Sequence, residues 1–307
     1  MAPVKAGLAA LAALIVLWAG PARALELTDD AGRVLKWDKP FTRIVSLYGA
    51  HAENLVAMGA ASCLVGISEA EPGLPALPEL TARDGAERIA ALKPDLVLAR
   101  PMHFAAHPEL IRQLEALNIA VACLQPKTPQ GLDEYWLNLG RLTGHENEAK
   151  AMAERFATEA RDLAAKTSAI PAQARKKVFL EAIHSQMKTV SPGSMAAYVL
   201  EMAGAVNLAG GAEPVSGSSI AYFGLERVMA LGDDLDFYLA QLGPMNPVTR
   251  QDIMTTGGLA GLKAVREGRV CLLDEGLMSR PTPRLIQAAK MVAAILYPDL
   301  FNKKDGN

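Results

Sequence analysis

Seven polar or aromatic side chains follow predicted strands or border the same edge of the predicted sheets. Imidazole is a common metal ligand, and both histidine and tyrosine can bind iron as axial ligands. Arginine pairs with carboxylates and other anionic oxygens. The set therefore suits an anionic metal chelate, a corrinoid or a haem with propionates, with the histidines as candidate metal ligands. The residues are Tyr48, His51, Arg100, His103, His184, Tyr222 and Arg280.

Each of these side chains also has a plainer explanation that the sequence leaves open. His51 could cap the helix that follows it, and His103 could be a solvated neighbour of another histidine. His184 could contact backbone alone. Tyr48 and Tyr222 could pack in a wall without touching a ligand. Residue type and position alone do not separate these roles from ligand binding.

The strands that position these residues alternate with helices, which is typical of an α/β fold. The strands are apolar on both faces, as in a parallel sheet covered by helices on each side. Ligands of such sheets bind at the carboxyl ends of the strands, so residues in the loops there are the candidates for ligand binding. The predicted elements are a hairpin over 26–42, strands over 43–47, 64–67, 96–99, 119–124, 177–183, 235–239 and 270–273, and helices over 49–58, 87–92, 108–117, 133–143, 147–167, 195–203, 225–231, 258–265 and 283–296.

The longest helical pattern separates two such α/β regions. Met152, Phe156, Ala160 and Leu163 form one apolar stripe within 147–167, and charged residues cover the rest. The sequence therefore predicts two Rossmann-like lobes with mostly parallel sheets, joined by one long helix and separated by a ligand cleft. The expected boundaries are an amino-terminal lobe over 25–144, a connecting helix over 145–172 and a carboxy-terminal lobe over 173–307.

Residues 1–24 are expected to be a secretory signal peptide. Lys5 precedes an apolar run from Gly7 to Ala19, and Ala22-Arg23-Ala24 forms an A-x-A cleavage site. The apolar run is short for a membrane span, which needs about 20 residues. The expected location of the mature chain is a bacterial periplasm.

A short phrase occurs once in each half of the chain. Residues 86–99 read AERIAALKPDLVLA and residues 225–239 read LERVMALGDDLDFYL. Each copy places a glutamate, Glu87 or Glu226, at the head of an amphipathic helical turn followed by an apolar run. The pair indicates symmetrical docking on a two-fold partner, although a glutamate in a first helical turn is also favoured by the helix dipole alone.

Several function classes are excluded by composition and by missing motifs. The net charge is −2 and the isoelectric point is about 6.2, whereas nucleic-acid binding needs a basic surface. The sequence contains no H-E-x-x-H, G-x-S-x-G or Walker A motif. A protein that binds rather than an enzyme is therefore expected, with no intrinsic cofactor.

Taken together, several segments resemble one known family, the helical-backbone (class III) substrate-binding proteins of ABC importers. These proteins carry ferric siderophores, cobalamin, haem and related metal chelates. The resemblance covers nearly the whole mature chain. The matching segments are DDAGR (29–33), RIVSLYGAHAENLVAMGA (43–60), LVGIS (64–68), AERIAALKPDLVLA (86–99), LEMAGAVNLAG (200–210), LERVMAL (225–231), LKAVREGRVCLLD (262–274) and SRPTPRLIQAAKMVAAILYPD (279–299).

The resemblance implies a monomer that holds its cargo between two lobes and delivers it to a permease dimer. Family members dock through a glutamate on each lobe, and these positions match Glu87 and Glu226. Arg280 lies in the family's R-x-x-P-R phrase. Two features depart from the family: aromatic residues total only 5%, which weakens cobalamin as the cargo, and Gly232-Asp233-Asp234 stands where the other lobe has Lys93-Pro94-Asp95.

The same residues leave two other functions open. The histidines and nearby acids could hold a bare metal ion, or the arginines a small oxyanion such as molybdate. A periplasmic enzyme or a metal-inserting chaperone could use the same histidines. The metal chelate is the leading hypothesis, and the sequence does not name the cargo.

Overall fold

The computed structural model describes residues 25–216 and 218–301, so the predicted signal peptide lies outside the described residues. The chain forms two α/β lobes, as the sequence predicts. The first lobe contains β1 (Leu25–Thr28), β2 (Val34–Trp37), β3 (Ile44–Ser46), α1 (Gly49–Ala57), β4 (Leu64–Gly66), α2 (Gly85–Ala90), β5 (Leu96–Ala99), α3 (Pro101–Ala106), α4 (Pro108–Ala116), β6 (Ala120–Cys123) and α5 (Leu132–Thr143). The long helix α6 (Glu146–Ser168) follows.

The second lobe follows α6. Its elements are β7 (Lys177–Ile183), β8 (Lys188–Val190), α7 (Met195–Met202), β9 (Val206–Asn207), β10 (Glu213–Pro214), β11 (Ile220–Tyr222), α8 (Leu225–Met229), β12 (Phe237–Leu242), α9 (Arg250–Thr255), α10 (Lys263–Arg266), β13 (Val270–Asp274), α11 (Glu275–Ser279), α12 (Leu285–Leu296) and α13 (Pro298–Phe301).

The sheet of the first lobe is parallel, in the order β4-β3-β5-β6. Its central strands are buried on both faces, because helices cover the two sides of the sheet. The chain runs from β3 outward to β4 and then returns to β5 on the other side of β3. The loops after β3 and β5 therefore diverge from a topological switch point, where open α/β sheets bind their ligands.

The hairpin of β1 and β2 covers the edge strand β6. The Asp29 carboxylate accepts from the Cys123 amide at 3.1 Å, and Arg33 donates to the Val121 carbonyl at 2.6 Å. These side chains occupy backbone groups that an open edge would offer to another strand. The turn between the hairpin strands thus covers the edge of the sheet without adding a strand to it.

The second lobe repeats the parallel order of the first. Strands β9, β7, β12 and β13 lie side by side in the order of β4, β3, β5 and β6. Three antiparallel strands, β8, β11 and β10, extend this sheet beyond β7. These additions were not predicted from the sequence, because each of the three strands is only two or three residues long.

Helix α6 joins the lobes and shares one apolar core with both of them. Met152 and Phe156 are buried, and the Phe156 ring meets the Trp136 ring of α5 at a centroid distance of 5.2 Å. The same core includes Val199 of α7 and Val292 of α12. Because α6 is packed along one face, it is more than a solvent-exposed connector, and this packing resists wide hinge opening.

One helix prediction in the second lobe was wrong, and a second placed the start of its helix two residues too early. The helix expected over 258–265 is a 3₁₀ turn over Leu259–Gly261 followed by the short α10, since Gly258 has a φ of +88° that no right-handed helix contains. The last long helix, expected from residue 283, begins at Leu285, with Arg284 at its N-cap. Thr282 is buried and its carbonyl accepts from the Leu285 amide in a preceding turn. Within the described ranges, no helix is long and apolar enough to cross a membrane.

Candidate functional site

The carboxyl edges of the two sheets meet at Arg280, at the position of the predicted ligand cleft. Arg280 follows β13 and α11 of the second lobe, yet its guanidinium lies 2.6 Å from Glu53 of α1 and 2.6 Å from Glu69, which follows β4. A Cβ atom at Gly49, directly after β3, would lie 2.7 Å from Arg280 Nη1. Glycine at position 49 therefore permits this close approach of the lobes.

Tyr48 and Arg100 meet at the switch point of the first lobe. Tyr48 follows β3, Arg100 follows β5, and the Arg100 guanidinium carbon lies 4.0 Å from the centre of the Tyr48 ring. Within the described ranges, Arg100 has no carboxylate within ion-pair distance, and its Nε is buried without a hydrogen-bond partner. The site thus presents a cation that is stacked on an aromatic face and whose charge is not neutralised.

His51 is buried in α1 behind Tyr48. Its Nε2 donates to the Leu124 carbonyl at 2.8 Å, and its Nδ1 is buried without a partner among the described residues. Burial lowers the pKa of His51 to about 3, against a weaker opposing effect of the hydrogen bond to Leu124. The imidazole is therefore neutral at physiological pH, and the helix-capping alternative does not describe its contact.

The buried neutral His51 predicts a loss of stability in acid. Between pH 6.5 and 3 the unfolded chain binds one more proton at this position than the folded chain. This histidine alone should therefore lower the free energy of unfolding by about 1.4 kcal/mol for each pH unit that the pH falls. Denaturant unfolding of the wild type and of His51→Gln at pH 6 and pH 4 measures the difference. If the free energy of unfolding fell equally with pH in the two proteins, the low pKa of His51 would be contradicted.

His103 caps helix α3 at the same edge. Its Nδ1 accepts from the Arg100 amide at 3.2 Å, so the neutral ring carries its proton on Nε2. Burial, together with the neighbouring charges of Arg100 and His107, lowers the pKa of His103 to about 4. The ring supports the backbone of Arg100, and in this state neither nitrogen offers a lone pair to a metal.

Arg280 lies in a cluster of carboxylates between the lobes. Besides Glu53 and Glu69 it contacts Glu71 at 2.5 Å, and its side chain is only 15% exposed. Burial lowers the pKa of the guanidinium, but the hydrogen bonds that it donates to Glu53 and Glu71 outweigh that effect and raise the pKa. Arg284 also pairs with Glu53, at 2.9 Å. In this conformation Arg280 connects the lobes and has no free edge for a ligand.

The residue after Arg280 strengthens the same connection. The Pro281 carbonyl accepts from Asn54 Nδ2 at 3.0 Å and from Trp136 Nε1 at 3.2 Å. Asn54 and Trp136 are fully buried in the first lobe. Moving Pro281 away would leave both buried donors without this acceptor, so the Arg280–Pro281 segment is a fixed contact between the lobes.

His184 follows β7, the strand of the second lobe that corresponds to β3 of the first lobe. Its environment differs from that of the residues after β3. Its Nδ1 lies 2.8 Å from Glu181 and its Nε2 lies 3.0 Å from the Thr256 hydroxyl. Glu181 is fully buried and also accepts from the Tyr238 hydroxyl and from Asn246 Nδ2. Both ring nitrogens are occupied within the protein. This network fixes the loop after β12, because Asn246 also accepts from the His184 amide at 2.8 Å.

Tyr222 lies at the cleft edge of the second sheet. It ends β11, next to the start of β8, where Lys188 pairs with Ile183 at the end of β7. Its side chain is 55% exposed, and the Lys188 ammonium lies 5.1 Å from the ring centre. Such an exposed aromatic ring at the cleft is available for contact with a ligand.

The structure brings the predicted residues of the first lobe together and leaves the histidines apart. Arg100 contacts both Tyr48 and His103 at the switch point, His51 lies behind Tyr48, and Arg280 of the other lobe lies beside Gly49. His184 belongs to a separate network. Residues 25–216 and 218–301 contain no group of three histidine, cysteine, aspartate or glutamate side chains placed to hold a metal ion.

The acidic partners of Arg280 and the network around Glu181 were not predicted from the sequence. Glu53 was hidden on the apolar face of α1, four residues after Gly49, and Glu69 and Glu71 follow a strand that had been given no role. A buried glutamate within an apolar strand, such as Glu181 in β7, is itself a signal, since buried carboxylates are normally paired.

Glu87 and Glu226 occupy equivalent places in the two lobes. Each lies in the first turn of a short helix, α2 or α8, that leads into the strand beside the switch point, and a glycine with positive φ begins α2 and directly precedes α8. Both side chains are exposed, and neither has an ion-pair partner in the described part of the chain. The docking role remains a prediction.

Comparison with known proteins agrees with this architecture. A family model described as periplasmic binding protein matches residues 44–277. The chain belongs to this family. The match confirms the family resemblance inferred from the sequence. This periplasmic binding protein therefore binds a substrate for transport.

Individual relatives of this periplasmic binding protein differ in what they bind. An uncharacterized ABC transporter substrate-binding lipoprotein, YvrC of Bacillus subtilis, is 24% identical over 90% of this chain and 87% of its own. A cobalamin-binding protein of Halobacterium salinarum is 24% identical over 86% of this chain and 72% of its own. Among solved structures, the molybdate-binding protein MolA of Haemophilus influenzae has a TM-score of 0.72 at 19% identity, covering 92% and 94% of the two chains.

Proposed function

We propose that this protein captures a metal chelate bearing an anionic group and delivers it to the permease dimer of an ABC importer. The observation that carries the proposal is the charge of Arg100. Its guanidinium is stacked on Tyr48 at the switch point without a carboxylate partner, whereas the guanidinium of Arg280 contacts three carboxylates. A charged ligand group placed beside Arg100 would neutralise a cation that the described residues leave unneutralised.

The rest of the cleft supports a chelate as the cargo in place of a bare metal ion. All three candidate histidines are committed elsewhere: His51 is buried, His103 accepts from backbone, and both nitrogens of His184 are hydrogen-bonded. The metal would therefore arrive with its own ligands. A small oxyanion is the second candidate, because the unpaired Arg100 would also attract one.

The proposal includes how the protein works in the cell. Residues 1–24 direct the chain to the periplasm and are then cleaved off. The mature protein acts as a monomer without an intrinsic cofactor, and it has no catalytic role. Glu87 and Glu226 contact arginines on the permease subunits, since carboxylate–arginine pairs provide orientation as well as attraction. The similarity to the substrate-binding lipoprotein YvrC supports this assignment.

Substitution of Arg100 tests the proposed ligand contact. Protein purified from its native periplasm should retain a metal-containing organic ligand, detected by absorption spectroscopy and mass spectrometry. Arg100→Ala should lower affinity for that ligand about 30-fold or more, as expected when a charged hydrogen bond worth about 2–3 kcal/mol is lost. Arg112→Ala, at an exposed position on α4, is the matched control.

The outcomes distinguish the two cargo classes. Unchanged affinity of Arg100→Ala for the purified ligand would contradict the proposed contact. Equilibrium dialysis with metal analysis tests the second candidate, because retained molybdate or another oxyanion without an organic chromophore would replace the chelate as the cargo.

A further inference from the structure

The two lobes share a second short repeat, which lies at the cleft. Arg100-Pro101-Met102-His103 follows β5, and Gly243-Pro244-Met245-Asn246 follows β12. Strands β5 and β12 occupy the same position in the sheet orders of the two lobes, next to the switch point. A proline-methionine pair therefore stands at the same place at the carboxyl edge of each sheet.

Both methionines are exposed, although methionine is among the residues most often buried. The exposed fraction is 54% for Met102 and 51% for Met245. The neighbouring Leu242 is also 42% exposed. Exposed thioethers at matched positions are typical of surfaces that adapt to an apolar partner, because the side chain is flexible and polarisable.

Contacts connect each methionine to the bridge between the lobes. In the first lobe, Arg100 Nη2 lies 2.7 Å from Met102 Sδ, and Arg100 is stacked on Tyr48 next to Gly49. In the second lobe, the Met245 amide donates to Glu275 at 3.3 Å. Glu275 begins α11, and Arg280 at the end of that helix reaches across to Glu53 and Glu69. The two methionines therefore stand at the carboxyl edges of the two sheets, on opposite lobes.

We infer that Met102 and Met245 form a thioether clasp that holds the apolar faces of a flat macrocyclic metal chelate. This inference rests on the proposed function and names the ligand chemistry of the same cleft. Thioethers contact conjugated rings favourably, and they give little to a small, strongly hydrated oxyanion. Arg100 beside Met102 places a positive charge at the rim of the ring, where a peripheral polar or anionic group of the macrocycle would lie.

Binding titrations with haemin, cyanocobalamin and sodium molybdate test the clasp. The wild type should bind at least one of the two macrocycles more tightly than molybdate. Met102→Gln and Met245→Gln should each weaken that macrocycle about tenfold, since each replaces apolar contact with an amide that must lose water. The double variant should weaken it about a hundredfold, and Met102→Leu or Met245→Leu should change it less than threefold.

Met229→Gln is the control, because Met229 of α8 is similarly exposed, at 44%, and lies outside the proline-methionine repeat. Circular dichroism and thermal melting show that each variant is folded. Glutamine variants that bind the macrocycle as tightly as the wild type would overturn the clasp, and leucine variants as weak as the glutamine variants would overturn apolar contact as its basis.

The proposed function can fail separately from the clasp. A wild type that binds molybdate but neither macrocycle would overturn the inference, as would a wild type that binds none of the three probes. The proposed function is tested separately, by the affinity of Arg100→Ala for the ligand purified from the native periplasm. That measurement decides the proposed function even when the probe titrations have overturned the clasp.

Discussion

Replacing both Glu87 and Glu226 by alanine should abolish uptake of the ligand by intact cells while leaving its binding to the purified protein unchanged. Each glutamate is exposed in the first turn of its helix and lacks an intramolecular partner within the described residues. Truncating one partner of an interfacial charge pair typically costs about 2–5 kcal/mol. The two losses together should weaken the complex with the permease about a thousandfold or more.

Two measurements separate docking from folding and from ligand capture. Affinity for the purified permease in lipid nanodiscs should fall in each single variant and fall further in the double variant. Glu148→Ala with Glu154→Ala removes two exposed glutamates from α6 and serves as the matched control. Normal uptake by the Glu87→Ala, Glu226→Ala protein would show that the repeated glutamates do not dock.

The second large effect concerns stability. Arg280→Met should lower the free energy of unfolding by about 3 kcal/mol at pH 7. The Glu53 carboxylate would remain buried but would lose the positive charge of the Arg280 guanidinium beside it. Burial and the neighbouring carboxylates already raise the pKa of Glu69. Carboxylates deprived of Arg280 should take up protons more readily, so the deficit of the variant should shrink as the pH falls toward 4.

Arg284→Met provides the comparison, since Arg284 is 42% exposed and contacts Glu53 alone in this cluster. Its loss should cost about 1 kcal/mol or less. Urea unfolding of both variants and of Arg280→Met combined with Glu53→Gln measures the difference. The double variant should recover part of the stability, and a loss for Arg280→Met no larger than that for Arg284→Met would contradict the bridging role.

The sequence predicted the features that depend on local pattern. The apolar stripe through Met152 and Phe156 gave α6 to within one residue at each end. The strands of the first lobe were found because each is a short apolar run between turns. Arg100 and Tyr48 were selected because both follow strands, and the structure stacks them together.

The sequence could not predict features that depend on contacts between distant segments. The ion pair of Arg280 with Glu53 joins residues 227 positions apart, so the sequence could not show that the charge of this candidate ligand residue is paired inside the protein. The same limit applies to His184, whose partners Glu181 and Thr256 come from different elements. Short antiparallel strands such as β10 and β11 carry too few residues for a recognisable alternation.

A crystal structure of the protein with the ligand purified from its native periplasm tests the central claim most directly. The account predicts that the ligand lies between the carboxyl edges of the two sheets, with an anionic or polar group within hydrogen-bond distance of the Arg100 guanidinium. A ligand bound outside this cleft, or one held in it with Arg100 making no contact, would contradict the account.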